Sequence, residues 1–276
     1  MVGVPEKLRA VRHAQSRGIG LRRACALWGV SRSMTGYSHL LPVKDAPLVQ
    51  TLVEVSRIHN TWGYRLVHGW VKGKVEGATI FRVRRLWKLH GLARPGRKRG
   101  RKLRTGARLK PLPTSPNSIW CMDFAEDQLL DGGKVFALLV KDEATAFGLK
   151  IAVAASFKGK DVEAILDQMI KEYGPPEYIR CDNGGQFIAF VVQRWAEVHG
   201  VKMAHIDPGK PWQNGSAESF VGTYRKEVLD AELFGSIAEA AWLSERWRRM
   251  YNQERPHSRL GYRPPATAYP VKGKVE

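Results

Sequence analysis

Three acidic residues, Asp123, Asp182 and Glu218, stand in local settings suited to handling a phosphate group. Asp123 lies in Trp120-Cys121-Met122-Asp123-Phe124, Asp182 in Cys181-Asp182-Asn183-Gly184-Gly185, and Glu218 in Asn214-Gly215-Ser216-Ala217-Glu218-Ser219-Phe220. The last two carboxylates have 35 residues between them. An in-line phosphoryl displacement run by two divalent ions, held about 3.5–4 Å apart, needs carboxylates converging from different chain segments. Hard oxygen ligands of this kind suit Mg²⁺ or Mn²⁺. A carboxylate in an otherwise apolar stretch, as at Asp123, is costly to desolvate unless a cation compensates it. Any one of these acids could be an ordinary turn or capping residue, but the three in this order point to a site. Seven residues past Glu218 comes Arg225, two helical turns on and on the same face, followed by Lys226; both are candidates to hold a nucleic-acid phosphate. The scattered His199, His205 and His257 come with no HExxH or nucleophile elbow, so a rival chemistry has no support.

Strands and helices that could position these acids alternate through the second half of the chain. Ile119 to Ala125, Lys134 to Lys141 and Gly148 to Ala154 read as strands, with Gly132-Gly133 turning the first into the second. A helix over 160–173 ends at Gly174-Pro175-Pro176. Tyr178 to Cys181 is a short buried strand, Gln186 to His199 a helix, and Val201 to Ile206 another strand. Ser216 or Asn214 would cap a helix running through Leu229, and Ser236 a last one reaching about Tyr251. Asp182 then falls at the carboxyl end of a strand, where open α/β sheets build their sites. Glu218 falls in the first turn of a helix. The pattern describes a mixed sheet with helices on both faces.

The charge is distributed unevenly. The formal charge is +19, and residues 1–117 hold 25 Lys and Arg against four acids, a surplus of 21, while residues 118–276 hold 20 against 22. A basic segment of this kind suits a polyanion through counterion release. Residues 22–34 read as helix, Gly29 turn and second helix behind Ser31, a helix-turn-helix pattern that would offer Arg32 to a groove. Within 46–93, the stretch Thr79 to Leu89 places Ile80, Val83, Leu86 and Trp87 at helical spacing, with Arg82, Arg85 and Lys88 mostly on other faces. Residues 94–110 carry nine Lys and Arg, three glycines and no acid. Such a segment buries too little to order by itself and reads as a linker that orders on nucleic acid, with Arg97, Lys98, Arg99, Arg101 and Lys102 as candidate contacts. The organisation expected is a helix-turn-helix-like region over 1–45, a second helical region over 46–93, a basic linker over 94–117, a catalytic core over 118–252 and a tail over 253–276. Cys25, Cys121 and Cys181 form neither a disulfide framework nor a zinc ribbon, which suits a reducing cytoplasm. No apolar run reaches membrane-spanning length.

The motifs together resemble the DDE transposases of the retroviral-integrase superfamily, above all the OrfB-type transposases of IS-three family bacterial insertion sequences. The likeness runs through Trp120 to Phe124, Cys181 to Phe187, Pro211 to Phe220 and the tail Tyr251 to Pro265. It implies an α/β, RNase H-like core behind small all-α helix-turn-helix regions, with Asp123, Asp182 and Glu218 as catalytic triad and ligands of two Mg²⁺ or Mn²⁺ ions. Arg225 would be the basic residue the family places seven positions after its Glu. The resemblance further implies strand cleavage and strand transfer at the terminal inverted repeats of an element, with target DNA as second substrate. Its partners would be further copies of the chain on DNA and a first-frame, OrfA-type protein, or a fusion to it. The setting would be a bacterial, nucleoid-associated one in the cytoplasm. Two other readings compete: a non-catalytic DNA-binding regulator derived from a transposase, and an RNase H-like nuclease that only hydrolyses.

Overall fold

The computed structural model describes residues 3–35, 41–93, 111–207 and 211–270. Arg97, Lys98, Arg99, Arg101 and Lys102 lie outside them. The chain divides into two compact units, Met1–Gln50 and Thr51–Glu276.

In the first unit α1 (Val4–Ser16), α2 (Leu21–Trp28) and α3 (Arg32–Thr35) close on a small core of Val11, Ala24 and Cys25. Gly29 ends α2 at φ 59°, a left-handed conformation that favours glycine. The expected helix, turn and helix are therefore present. The Ser31 hydroxyl pairs with that of Ser33 at 2.7 Å. α4 (Leu41–Ile58) runs across the division between the units.

The second unit contains α5 (Tyr64–Val71) and α6 (Ile80–Leu89), which bury Val67, Val71, Val83, Leu86 and Trp87. Thr79 caps α6 by accepting from the Arg82 amide at 3.3 Å. Beyond them lies a five-stranded sheet of β1 (Ile119–Gln128), β2 (Lys134–Asp142), β3 (Gly148–Ala154), β4 (Tyr178–Cys181) and β5 (Lys202–His205), in the order β3-β2-β1-β4-β5. β1, β2 and β3 pair antiparallel, whereas β4 and β5 add on parallel. Three antiparallel strands extended by two parallel ones form the RNase H-like arrangement that the resemblance implies.

The period-two pleat sorts side chains between two cores. Trp120 and Met122 of β1, with Leu138 and Val140 of β2, face a core closed by α7 (Gly159–Tyr173), α8 (Gly185–Ile188) and α9 (Phe190–Val198). Ala125, Ala137 and Leu139 face the opposite core, closed by α10 (Gly215–Tyr224) and α11 (Ile237–Gln253). Asp123 is in phase with Ala125, so the site acid belongs to the α10 side of the sheet.

Two local expectations give way to tertiary contacts. The single helix expected over Gln186 to His199 breaks at Ala189, which is extended at φ −54°, ψ 134°. A Cβ on Gly159 at the start of α7 would lie 2.7 Å from the Ala189 Cβ, so the break sits where two backbones approach. The helix expected to be capped by Ser216 or Asn214 begins at Gly215 with no side-chain cap, behind a 3₁₀ turn over Pro211–Asn214. The Asn214 amide instead reaches across to the Met122 carbonyl at 3.4 Å. The last residues of that expected helix, Arg225–Leu229, are wound as a π turn.

The C-terminal segment packs on this core. Asn252 on α11 accepts from the Gly148 amide and donates to the Gly148 carbonyl, both at 2.8 Å, and so completes the backbone pairing where β3 begins. A Cβ on Gly69 of α5 would come within 2.7 Å of the Tyr262 Cβ, so the tail seats closely on α5. Asn252→Ala would leave the buried Gly148 amide without a partner, the Gly148 carbonyl keeping the Arg248 guanidinium at 2.9 Å, and is expected to destabilise the second unit by about 1–3 kcal/mol. Urea unfolding followed by tryptophan fluorescence measures this, and a loss below about 0.5 kcal/mol would contradict the role given to Asn252.

Candidate active site

Asp123 sits mid-strand on β1, opposite Leu139, and is partly buried. Its Oδ1 accepts from the Phe124 amide at 2.8 Å. Burial pushes its carboxyl up to about 6 from the ordinary 3.8, the amide bond pulls the other way, and the charges of Asp182 and Glu218 add to the rise. The three acids of the sequence motifs therefore share one electrostatic field.

Asp182 follows the last residue of β4. Its Oδ1 accepts from the Gly184 amide at 3.0 Å, a tight turn that aims the next residues into α8. A Cβ on Gly184 would lie 3.0 Å from that same Oδ1, so glycine leaves the carboxylate room to sit there. His205 on β5 bonds the Asp182 carbonyl through Nδ1 at 3.2 Å, and Gln193 meets its Nε2 at 3.2 Å. The backbone that carries Asp182 is therefore braced from the neighbouring strand and from α9.

Glu218 is exposed in the first turn of α10, one of the first orphan-amide positions, where a carboxylate is favoured by the helix dipole. Gln213 closes the segment before it: its Oε1 accepts from the Asp207 amide at 2.7 Å and its Nε2 donates to the Asp207 carboxylate at 2.9 Å. None of the three acids forms an ion pair among the described residues, and no three His, Cys, Asp or Glu side chains there converge tightly enough to hold one ion.

Arg225 is exposed at the start of the π turn and donates from Nη2 to the Glu126 carbonyl of β1 at 3.0 Å. Lys226 beside it is exposed. The widened turn brings Glu227 inward, where its carboxylate accepts from Arg255 at 2.9 Å, from the Trp247 indole at 3.0 Å and from Thr61 at 3.3 Å. Of the other candidates, Arg32 is exposed at the start of α3, Arg82 is half-buried with its guanidinium on the Gly77 carbonyl at 3.2 Å, and Arg85 is exposed on α6.

Sequence reading missed three buried charged residues near the site. Lys141, at 5% exposure, donates to the Ser216 carbonyl at 2.7 Å. Arg180, one residue before Cys181 on β4, pairs with Glu143 and donates to the Pro111 carbonyl at 2.6 Å. The available signal was the run Lys141-Asp142-Glu143 at the end of a buried strand, where charge is expensive unless paired.

Asp123 carries a consequence for stability. A carboxyl raised in the folded state contributes most below its ordinary pKa, and that contribution is lost as pH rises through about 6. Asp123→Asn removes the ionised form, so it is expected to raise stability by up to about 3 kcal/mol near pH ~8 and by much less near pH ~4.5. Chemical denaturation of both proteins at the two pH values checks this. An Asn variant less stable than wild type near pH ~8 would contradict the raised Asp123 carboxyl.

An Integrase core domain model matches residues 113–211, and a second model of the same description matches 199–265. The Insertion element IS407 uncharacterized 31.7 kDa protein of Burkholderia multivorans is 35% identical over 248 residues, covering 90% of each chain. The Insertion element IS476 uncharacterized 39.2 kDa protein of Xanthomonas euvesicatoria is 36% identical over 89% of this chain and 71% of its own. The Transposase for insertion sequence element IS629 of Shigella sonnei is 26% identical, covering 78% and 77%. A chain of the simian T-cell lymphotropic virus intasome superposes with a TM-score of 0.49 at 13% identity, over 82% of this chain and 76% of that one. With a matched integrase core and insertion-element relatives aligned along nearly its whole length, the chain belongs to the DDE transposases of the retroviral-integrase superfamily and acts in DNA transposition.

Proposed function

We propose that Asp123, Asp182 and Glu218 are the catalytic acids of a polynucleotidyl transferase that cleaves and then joins DNA strands at insertion-sequence ends. The single observation that carries this reading is the convergence of three acids from separate elements, Asp123 part-buried on β1, Asp182 just past the end of β4 and Glu218 in the first turn of α10, close enough that the last two raise the Asp123 carboxyl beyond what its burial does. A carboxylate set of hard oxygens, mutually repelling and unpaired, has the donor chemistry for Mg²⁺ or Mn²⁺. Asp123, Asp182 and Glu218 would hold two such ions, which supply charge neutralisation at the phosphate and activation of the attacking oxygen when bound.

The chain's own groups do the rest. In the first step a water oxygen forms a bond to phosphorus and the bond to the 3′-oxygen breaks, with that oxygen taking up a proton. In the second, the freed 3′-hydroxyl gives up its proton and forms the new bond to a target phosphorus, whose bond to another 3′-oxygen breaks, and that oxygen takes up a proton. Both displacements need the phosphate held in line, and Arg225 and Lys226 lie exposed along the helix beyond Glu218 to do so. Arg225 uses one guanidinium nitrogen on the Glu126 carbonyl, which fixes its plane and leaves further N–H groups for phosphate. Arg32, Arg82, Arg85 and the linker residues Arg97, Lys98, Arg99, Arg101 and Lys102 would grip DNA along its backbone, the regions 1–45, 46–93 and 94–117 holding while 118–252 cuts. The reading includes assembly of several copies on two DNA ends, joined by a first-frame, OrfA-type partner, in the cytoplasm at the nucleoid. No helix of the described residues is long and apolar enough to cross a membrane.

The test is incubation of the chain, with its first-frame partner added, with a labelled terminal-repeat end and Mg²⁺ or Mn²⁺. Asp182→Asn and Glu218→Gln are expected to lose cleavage and joining by at least about 100-fold while still shifting the DNA in a gel. Variants that cut and join like wild type would remove the triad; wild type that nicks and never joins would support hydrolysis alone.

A further inference from the structure

We propose that Lys141 is the positioning residue for Glu218: its ammonium fixes the first turn of α10 to the sheet and thereby sets that carboxylate relative to Asp123. The inference rests on Glu218 being one of the catalytic acids, and it adds a residue that no motif marks.

Lys141 ends the apolar part of β2 and is almost fully enclosed, with Nζ donating to the Ser216 carbonyl at 2.7 Å and lying 5.5 Å from the centre of the Phe220 ring. Both partners are on α10, on either side of Glu218. Directly across the ladder from Lys141 stands Cys121 of β1. The Cys121 thiol donates to the Lys141 carbonyl at 3.5 Å. The β2 member of this cross-strand pair thus holds Ser216, and the β1 member leads to Asp123. The two acids follow from it at equal steps, Asp123 two residues beyond Cys121 and Glu218 two residues beyond Ser216. A second fastener, the Asn214 amide on the Met122 carbonyl, ties the turn before α10 to the residue before Asp123.

On the other edge of β2, the pairing with β3 shifts register between Val140 and Lys141, next to the residue that reaches α10. A lysine is an expensive way to fill a core position, because an enclosed ammonium gives up its hydration. A hydrophobic side chain of the same length would pack there more easily, so packing alone does not account for the choice. Burial lowers the Lys141 pKa, while Cys121, Glu143 and Asp142 favour its charge and Arg259 opposes it. A point charge aimed at a helix carbonyl gives the turn a directional tether that a methyl group cannot.

The experiment compares wild type, Lys141→Met, Lys141→Arg and Glu218→Gln in the same end-cleavage assay with Mn²⁺, alongside thermal melting and amide hydrogen exchange of the chain without metal. Lys141→Met is expected to melt within about 2 °C of wild type or above it, because the lost bond to Ser216 is offset by no longer keeping a lysine amine out of water. Its cleavage rate at saturating DNA should fall about 10- to 100-fold with the half-saturating DNA concentration within about 2-fold, the signature of lost alignment and not lost binding. Amides of residues 216–220 should exchange about 10-fold faster in Lys141→Met while those of β1 and β2 stay unchanged, and Lys141→Arg should recover part of the rate. If Lys141→Met does not fold, Lys141→Gln, which keeps a polar end but falls short of Ser216, takes its place. A fully active Lys141→Met beside an inactive Glu218→Gln overturns the role of Lys141 alone. Full activity in both overturns the triad reading beneath it. A rate loss accompanied by faster exchange throughout the sheet marks Lys141 as merely structural and also overturns the proposal.

Discussion

Three carboxylates brought into one field repel one another, and the rest of the second unit is arranged to hold them there. The repulsion is visible at Asp123, whose carboxyl is held near 6 by burial and by its two neighbours. Left to itself, such a cluster would separate or take up protons. Separate elements prevent the separation: β1 fixes Asp123 mid-strand, the end of β4 fixes Asp182, and α10 carries Glu218 on a turn fastened back onto β1 and β2. In the proposed active site, a bound divalent cation would relieve that repulsion.

The sheet can carry that load because both of its faces are covered. One core lies under α7, α8 and α9 and the other under α10 and α11, so β1 and β2 are enclosed on both sides. The parallel addition of β4 beside β1 brings the two aspartates to neighbouring strands. The antiparallel addition of β2 brings Lys141 under α10. Farther along the same helical segment, the π turn rotates Glu227 inward to meet Arg255, Trp247 and Thr61, while Arg225 and Lys226 stay outside. One change of helical winding thus separates a charge used for packing from charges left available to a polyanion.

Much of this was readable in the chain. The five strands follow from apolar, β-branched runs between Gly and Pro signals, and the end of α2 follows from Gly29, whose backbone is left-handed in the fold. Asp123, Asp182 and Glu218 were marked by the contrast between an acid and its surroundings. Local rules misled where a distant partner competed. Asn214 has the chemistry of a helix cap, yet its side chain is turned so that its nitrogen donates to the Met122 carbonyl, 92 residues away in sequence, and its oxygen caps no amide of α10. The helix over Gln186 to His199 looks continuous by composition, yet it breaks where Ala189 meets Gly159.

By itself, then, the sequence determined the kinds of element, the identity of the acids and the imbalance of charge between the two parts of the chain, because these depend on residue type and on neighbours within a few positions. The tertiary structure alone decided which charges share a field, which are buried, and what each buried one holds. Lys141 reads as one more basic residue until the fold sets it 2.7 Å from a carbonyl 75 residues away. Contacts of that range depend on strand register and helix placement, and those follow from the burial of two whole cores, not from any local motif.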